Sequence, residues 1–193
     1  MARNREFDEK VVLKKAMELF WKQGYEKTSM QELVNHMGIH RKSIYDTFGD
    51  KRSLFSASLT FYEEFVTNSY TDIISHSSSV KQAIRDIFNF VVQSAHLDAY
   101  PTGCLTVNAA VELSLIDQDI NHMVTKMFKT TEMMFEQVLL DGQKNGELRE
   151  ELNPHITSKL LHNNLVGLRV MVKTEYSTEE LESIIDLIMK VLD

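Results

Sequence analysis

Residues 28–55, TSMQELVNHMGIHRKSIYDTFGDKRSLF, constrain this chain more than any other stretch, because they spell start, face and stop signals for two short helices in succession. A hydroxyl at Thr28 or Ser29 is placed to accept from the open N–H groups of a helix start, and Glu32, three residues after Ser29, completes a capping box. Met30, Leu33, Val34 and Met37 follow at helical spacing and make one apolar face. Gly38 ends that helix, since glycine takes positive φ at little steric cost. A second helix is predicted from His40 to about Thr47, with Ile39, Ile44 and Phe48 turned inward. Gly49 closes it, and Asp50 caps the next.

The residues left outward on the second helix are His40, Arg41, Lys42, Ser43 and Tyr45. That set suits a helix that reads a DNA major groove: Arg41 or Lys42 can donate to guanine, and Ser43 or His40 can bond a base or a phosphate. Tyr45, Lys51 and the helix starts at Thr28, Ser29 and Asp50 suit phosphate oxygens, which fix register without reading sequence. A charge run such as HRK is by itself usually a solvated face. The joint order of cap, apolar face, glycine turn, basic helix, glycine and cap is what selects the DNA reading.

From Val11 to Phe55 the chain resembles the N-terminal DNA-binding domain of TetR-family transcriptional regulators, through Phe20, Gly24, Tyr25, Thr28, Gly38, Ile39, Ser43, Ile44, Tyr45, Phe48, Lys51 and Leu54. The resemblance implies phosphate contacts for Tyr45 and Lys51 and base reading for His40 to Ser43. It also implies a fold of nine helices and a dimer joined through its last two. His36 and Met37 are bulkier than the small residues usual before the turn, and Asp46 sets an acid beside the DNA-facing tyrosine. These departures point to an individual operator preference.

A net charge of −7 over 193 residues argues at first against a nucleic-acid partner, so its distribution matters. Up to Phe55 there are 11 Lys and Arg against 8 Asp and Glu, and beyond it 10 against 20. The basic charge is gathered in the proposed reading head, and the acidic remainder is repelled by DNA. The start, MARNREF, lacks the apolar stretch of a secretion signal, and no apolar run reaches transmembrane length. A cytoplasmic location and no membrane partner are expected. Cys104 is the single cysteine, so no intrachain disulfide can form; it reads as a small buried hydrophobe more readily than as a redox thiol, for want of basic neighbours in sequence.

No alternating strand pattern stands out; most glycines fall at helix ends or loops, Pro101 lies in the loop DAYPTG, and Pro154 follows Asn153 as the first residue of a helix. The expectation is an all-α protein of about nine helices, near 7–23, 29–37, 40–47, 51–74, 80–97, 104–113, 117–144, 154–173 and 178–192. Residues 1–55 are read as a three-helix helix-turn-helix DNA-binding domain and 56–193 as a larger helical ligand-sensing and dimerisation domain. The helix at 51–74 bridges them, and Ser75 to Ser79 form a loop.

Leu161, Leu165, Leu168 and Val172 make one stripe, with Gly167 mid-helix despite a cost of about 1 kcal/mol relative to alanine. Leu181, Ile184, Ile185 and Ile188 make another. Together they are the expected dimer interface; the alternative is that both helices simply cover their own core. The sensor is expected mid-chain. Met123, Met127 and Met134 with Phe128 offer a deformable apolar lining. Cys104, Asn108, Glu112, His162, Asn163 and Asn164 are the polar candidates for the same pocket, with satisfaction of buried backbone or a place across the dimer axis as the alternatives for all but Cys104. His122, His155 and His162 lack acidic or cysteine ligands at matching spacing, so no metal is expected, and no cofactor or catalytic motif is found.

The chain is therefore expected to be a transcriptional regulator and not an enzyme: a ligand-released repressor binding a palindromic double-stranded DNA operator as a homodimer, with a small-molecule effector of unknown identity. The alternative is an all-helical ligand-binding or enzymatic module that keeps the hairpin only as structure.

Overall fold

Local capping sets the element boundaries. In the structure, a computed structural model describing residues 7–94 and 101–193, Asp8 accepts from the first amides of α1 (Glu9–Gln23). Ser29 and Glu32 close a reciprocal capping box on α2 (Met30–Met37). α3 (Arg41–Phe48) follows the glycine turn, and Asp50 caps α4 (Lys51–His76). The body continues with α5 (Val80–Ser94), α6 (Leu105–Leu113), α7 (Gln118–Lys144), α8 (Pro154–Met171) and α9 (Thr178–Met189), ending in a single 3-10 turn. The described residues contain no strand. Each expected helix is present to within three residues at the ends that are described. The last residues of the helix expected at 80–97 lie outside the described residues.

One boundary differs. α4 runs on through Ser75 and His76, so the loop is only Ser77 to Ser79. Ser75 and Ser77 hydroxyls donate back to the Asp72 and Ile73 carbonyls at 2.9 and 2.8 Å, which satisfies acceptors that the end of a helix leaves open.

Apolar burial divides into two clusters. The first packs Val12, Ala16 and Phe20 of α1 on Leu33, Ile44 and Leu54, and it continues without a break into Leu105 and Ala109 of α6 and Ile120 and Val124 of α7. The second joins α5, the later part of α7, α8 and α9 around Phe88, Phe135, Leu161 and Ile185. α4 contributes Leu54 to Tyr62 to the first and Tyr70 to the second, so it bridges the N-terminal helices and the body as expected. No helix among the described residues is long and apolar enough to cross a membrane.

The expected interface residues are corrected here. Leu161, Leu165, Leu168, Leu181, Ile185 and Ile188 lie within the protomer's own second core, and Val172 and Ile184 pack half-buried against it. Only Gly167 is exposed, with open space where a Cβ would stand. Helical periodicity identifies an apolar face but carries no sign of whether that face meets its own core or another molecule. The apolar residues left outward are Ile156, Leu160 and Val170 of α8 and Leu187 of α9, the last 67% exposed.

Candidate nucleic-acid interface and effector cleft

The geometry of the reading head begins at its turn. Gly38 sits at φ 71°, ψ 28°, in the left-handed region a side chain disfavours, and this lets α3 leave α2 at a sharp angle. Ile44, fully buried, pins α3 to the core. That leaves His40, Arg41 and Lys42 exposed, Ser43 half-buried and Tyr45 44% exposed. His40 caps α3 without a side-chain hydrogen bond, so the first amides of the helix remain open among three basic side chains. The Arg41 guanidinium lies 5.8 Å from the Tyr45 ring centroid, and the Lys51 ammonium lies 4.2 Å from that of Tyr25. Both cations are therefore steered by aromatic faces.

Two expected phosphate contacts fall differently. Thr28 is fully buried and its hydroxyl donates to the Gly24 carbonyl at 2.6 Å, so this side chain stabilises the α1–α2 turn and leaves the outward set. The Ser29 hydroxyl is exposed but engaged with Glu32, donating to its carboxylate at 2.7 Å and accepting from its amide at 3.2 Å.

Three polar joints tie this head to the body. Arg52, in the first turn of α4, donates from Nε and Nη2 to Asp117 at 2.6 and 2.8 Å and from Nη2 to Asp119 at 2.7 Å. Asp117 also caps α7, and the Arg52 guanidinium together with the α7 amides holds its carboxyl at about 2. The Glu112 carboxylate, from α6, accepts from the backbone amides of Tyr25 and Glu26 at 2.9 and 2.8 Å. Gly24 is required beside it: at φ 84°, any Cβ would also stand 3.0 Å from that carboxylate. Asn108, one turn earlier on α6, donates to the Trp21 carbonyl at 3.2 Å and accepts from Lys173 at 2.8 Å. Glu112 and Asn108 are thus removed from the pocket and placed at the joint, because the α1–α2 turn presents backbone groups that need partners.

The pocket itself lies between α4, α6, α7 and α8, with about 450 Å³ of empty space including its mouth. Cys104, Met127 and Phe128 line it as expected, beside Val66, Val107 and Leu165. Met123 packs on the first core and Met134 on the second, and Asn163 is exposed, so these three expected lining residues stand elsewhere.

His162 lines the cleft as expected; what the sequence reading missed in its polar wall is Arg169 with Tyr62 and Tyr70. Arg169 is only 7% exposed; it donates from Nη1 to the Tyr62 hydroxyl at 2.8 Å and from Nη2 to the Tyr70 hydroxyl. No carboxylate among the described residues forms an ion pair with it. Its signal was an arginine four residues after Leu165 and seven after His162, on the buried stripe of α8. Burial holds the His162 imidazole below its ordinary pKa against the pull of Glu132, 3.3 Å away. No group of three or more His, Cys, Asp or Glu able to hold a metal occurs among the described residues.

Two family models match the chain: bacterial regulatory proteins, tetR family, over residues 12–58, and the tetracyclin repressor-like C-terminal domain over 81–188. The uncharacterized HTH-type transcriptional regulator YezE of Bacillus subtilis strain 168 is 34% identical over 194 residues, covering 100% of both chains. The HTH-type transcriptional repressor ComR of Escherichia coli K12 is 28% identical, covering 94% of this chain and 87% of its own. Among solved structures, a cysteine-substituted TetR-family regulator CifR bound to a 26-base-pair double-stranded operator superposes with a TM-score of 0.90, at 24% identity and over 100% of both chains, which bears on the fold.

Proposed function

Because this chain belongs to the TetR family of transcriptional regulators, we propose that it works as a homodimeric repressor whose heads, residues 1–55, read a palindromic operator, and whose body, 56–193, senses a small molecule. It is a DNA-binding regulator by family, and its similarity to a repressor such as ComR supports the negative sign of its action. The observation that carries the reading is α3: a buried Ile44 holds the helix in place while Arg41 and Lys42 stand exposed at an uncapped, amide-rich start. Those groups reach base edges, and Tyr45 and Lys51 reach phosphates. The effector occupies the cleft between α4 and α8. It releases DNA by favouring a head spacing that does not fit successive major grooves, a population shift limited by its differential affinity for the two states.

Two copies meet through the outward faces of α8 and α9, where Leu160, Gly167, Val170 and Leu187 are exposed. Leu187→Glu is expected to convert the dimer to monomer with the protomer still folded, since the side chain is largely exposed; the melting temperature should fall only by the stabilisation that association supplied. Sedimentation velocity with a melting curve reads both. A Leu187→Glu protein that remains dimeric removes this face from the interface.

A further inference from the structure

The wall of the cleft carries a buried positive charge whose hydrogen bonds are met but whose charge is not. Arg169 donates to the hydroxyls of Tyr62 and Tyr70. A phenol satisfies an N–H group without supplying an opposite charge, and burial holds both phenols above their ordinary pKa, so neither ionises at neutral pH. A guanidinium also has more N–H donors than these two bonds use. The carboxylates at hand are turned to other groups: Glu63, on the same wall, accepts from Thr130 at 3.4 Å, and Glu132 lies against His162 at 3.3 Å. No ion pair to Arg169 is formed among the described residues. Buried charges are paired in folded proteins, so the missing partner belongs to whatever fills the cleft.

We propose that the cleft takes a small monocarboxylic acid with an apolar body, its carboxylate on Arg169 and its tail along Val66, Val107, Met127 and Phe128. This rests on the cleft being the effector site. The planar fork of a guanidinium matches the two oxygens of one carboxylate. Tyr70 accepts from Arg169 and keeps its own hydrogen to donate to the same group. Glu63 repels a second acidic group, which selects a monoacid over a diacid. The empty space of about 450 Å³, its mouth included, lies toward the small end of ligand clefts, which run from about 300 to 1,000 Å³. A carboxylate held in this way links α8, which carries Arg169, to α4, which carries Tyr70 and begins in the head.

Calorimetric titration of the full chain at neutral pH with 4-phenylbutyrate and with its uncharged analogue 4-phenylbutan-1-ol reads the charge preference. One acid should bind per protomer, about 10- to 100-fold more tightly than the alcohol, the ratio expected of a hydrogen bond between charged groups. In Arg169→Met, which keeps an unbranched apolar stem, acid and alcohol should bind alike. Tyr70→Phe keeps the ring and should weaken the acid several-fold, which gives a second variant if Arg169→Met fails to fold. A thiolate at Cys104, also on the wall, is the rival counter-charge, and it predicts that the alcohol binds the native chain at least as well as the acid. That result, an acid preference that survives Arg169→Met, or no saturable binding of the acid at millimolar concentration overturns the proposal. The titrations contain no DNA, so their failure is distinct from failure of the repressor reading, which release of operator DNA by the same acid tests separately.

Discussion

Replacing Phe20 by alanine is expected to destabilise the protein by about 3–5 kcal/mol, lowering its melting temperature by roughly 10 °C. Phe20 is fully buried, with its ring 5.0 Å from Phe55 at 82° and 6.2 Å from Tyr25. It therefore joins α1 to α4 and to the turn whose amides Glu112 holds. The cavity would open in a core shared between head and body, so DNA binding and body stability should fall together. Thermal unfolding measures the loss, with Val11→Ala as control: Val11 is 52% exposed, and its truncation should stay within about 0.5 kcal/mol. A Phe20→Ala loss no larger than the control would mean that the head does not share this core.

The second large effect is on DNA. Arg41→Ala should weaken binding to the preferred duplex by about 1–3 kcal/mol, on the order of 10- to 100-fold, and relax preference at particular positions. Lys51→Ala should weaken all duplexes alike and reduce the salt slope by about one unit per head. The contrast follows from position: Arg41 stands at the start of α3, whereas Lys51 lies on the first turn of α4 over the Tyr25 ring. Fluorescence anisotropy across a salt series separates the two. Equal loss on preferred and random DNA for Arg41→Ala would remove it from base reading.

The helices were legible because their ends carry local chemistry. The Ser29–Glu32 box, Gly38, Asp50 and Asn153–Pro154 each act within a few residues, and the structure places helix ends there. The outward residues of α3 were legible for the same reason, since the 3.6-residue period fixes which side of a short helix Ile44 takes. Long-range pairings were not. Glu112 and Asn108 sit among apolar residues and look like pocket polar groups, yet their partners are backbone atoms 87 residues away. Thr28 reads as a cap but turns inward, because Ser29 takes the cap. Leu161 and Ile185 read as a dimer face because two apolar environments leave the same pattern. Cys104 and Arg169 line one cleft but lie 65 residues apart, and no window of sequence brings them together.

Selection of duplexes from a random DNA pool by the purified full chain tests whether α3 is a sequence reader. Enrichment should converge on a twofold-symmetric site whose half-sites lie one helical turn apart, about 34–36 Å, or a multiple of it. The same selection with the Arg41→Ala, Lys42→Ala double variant should lose that consensus. A pool that stays random with the native chain, or a consensus the double variant reproduces, would contradict the assignment of α3 as the reading helix.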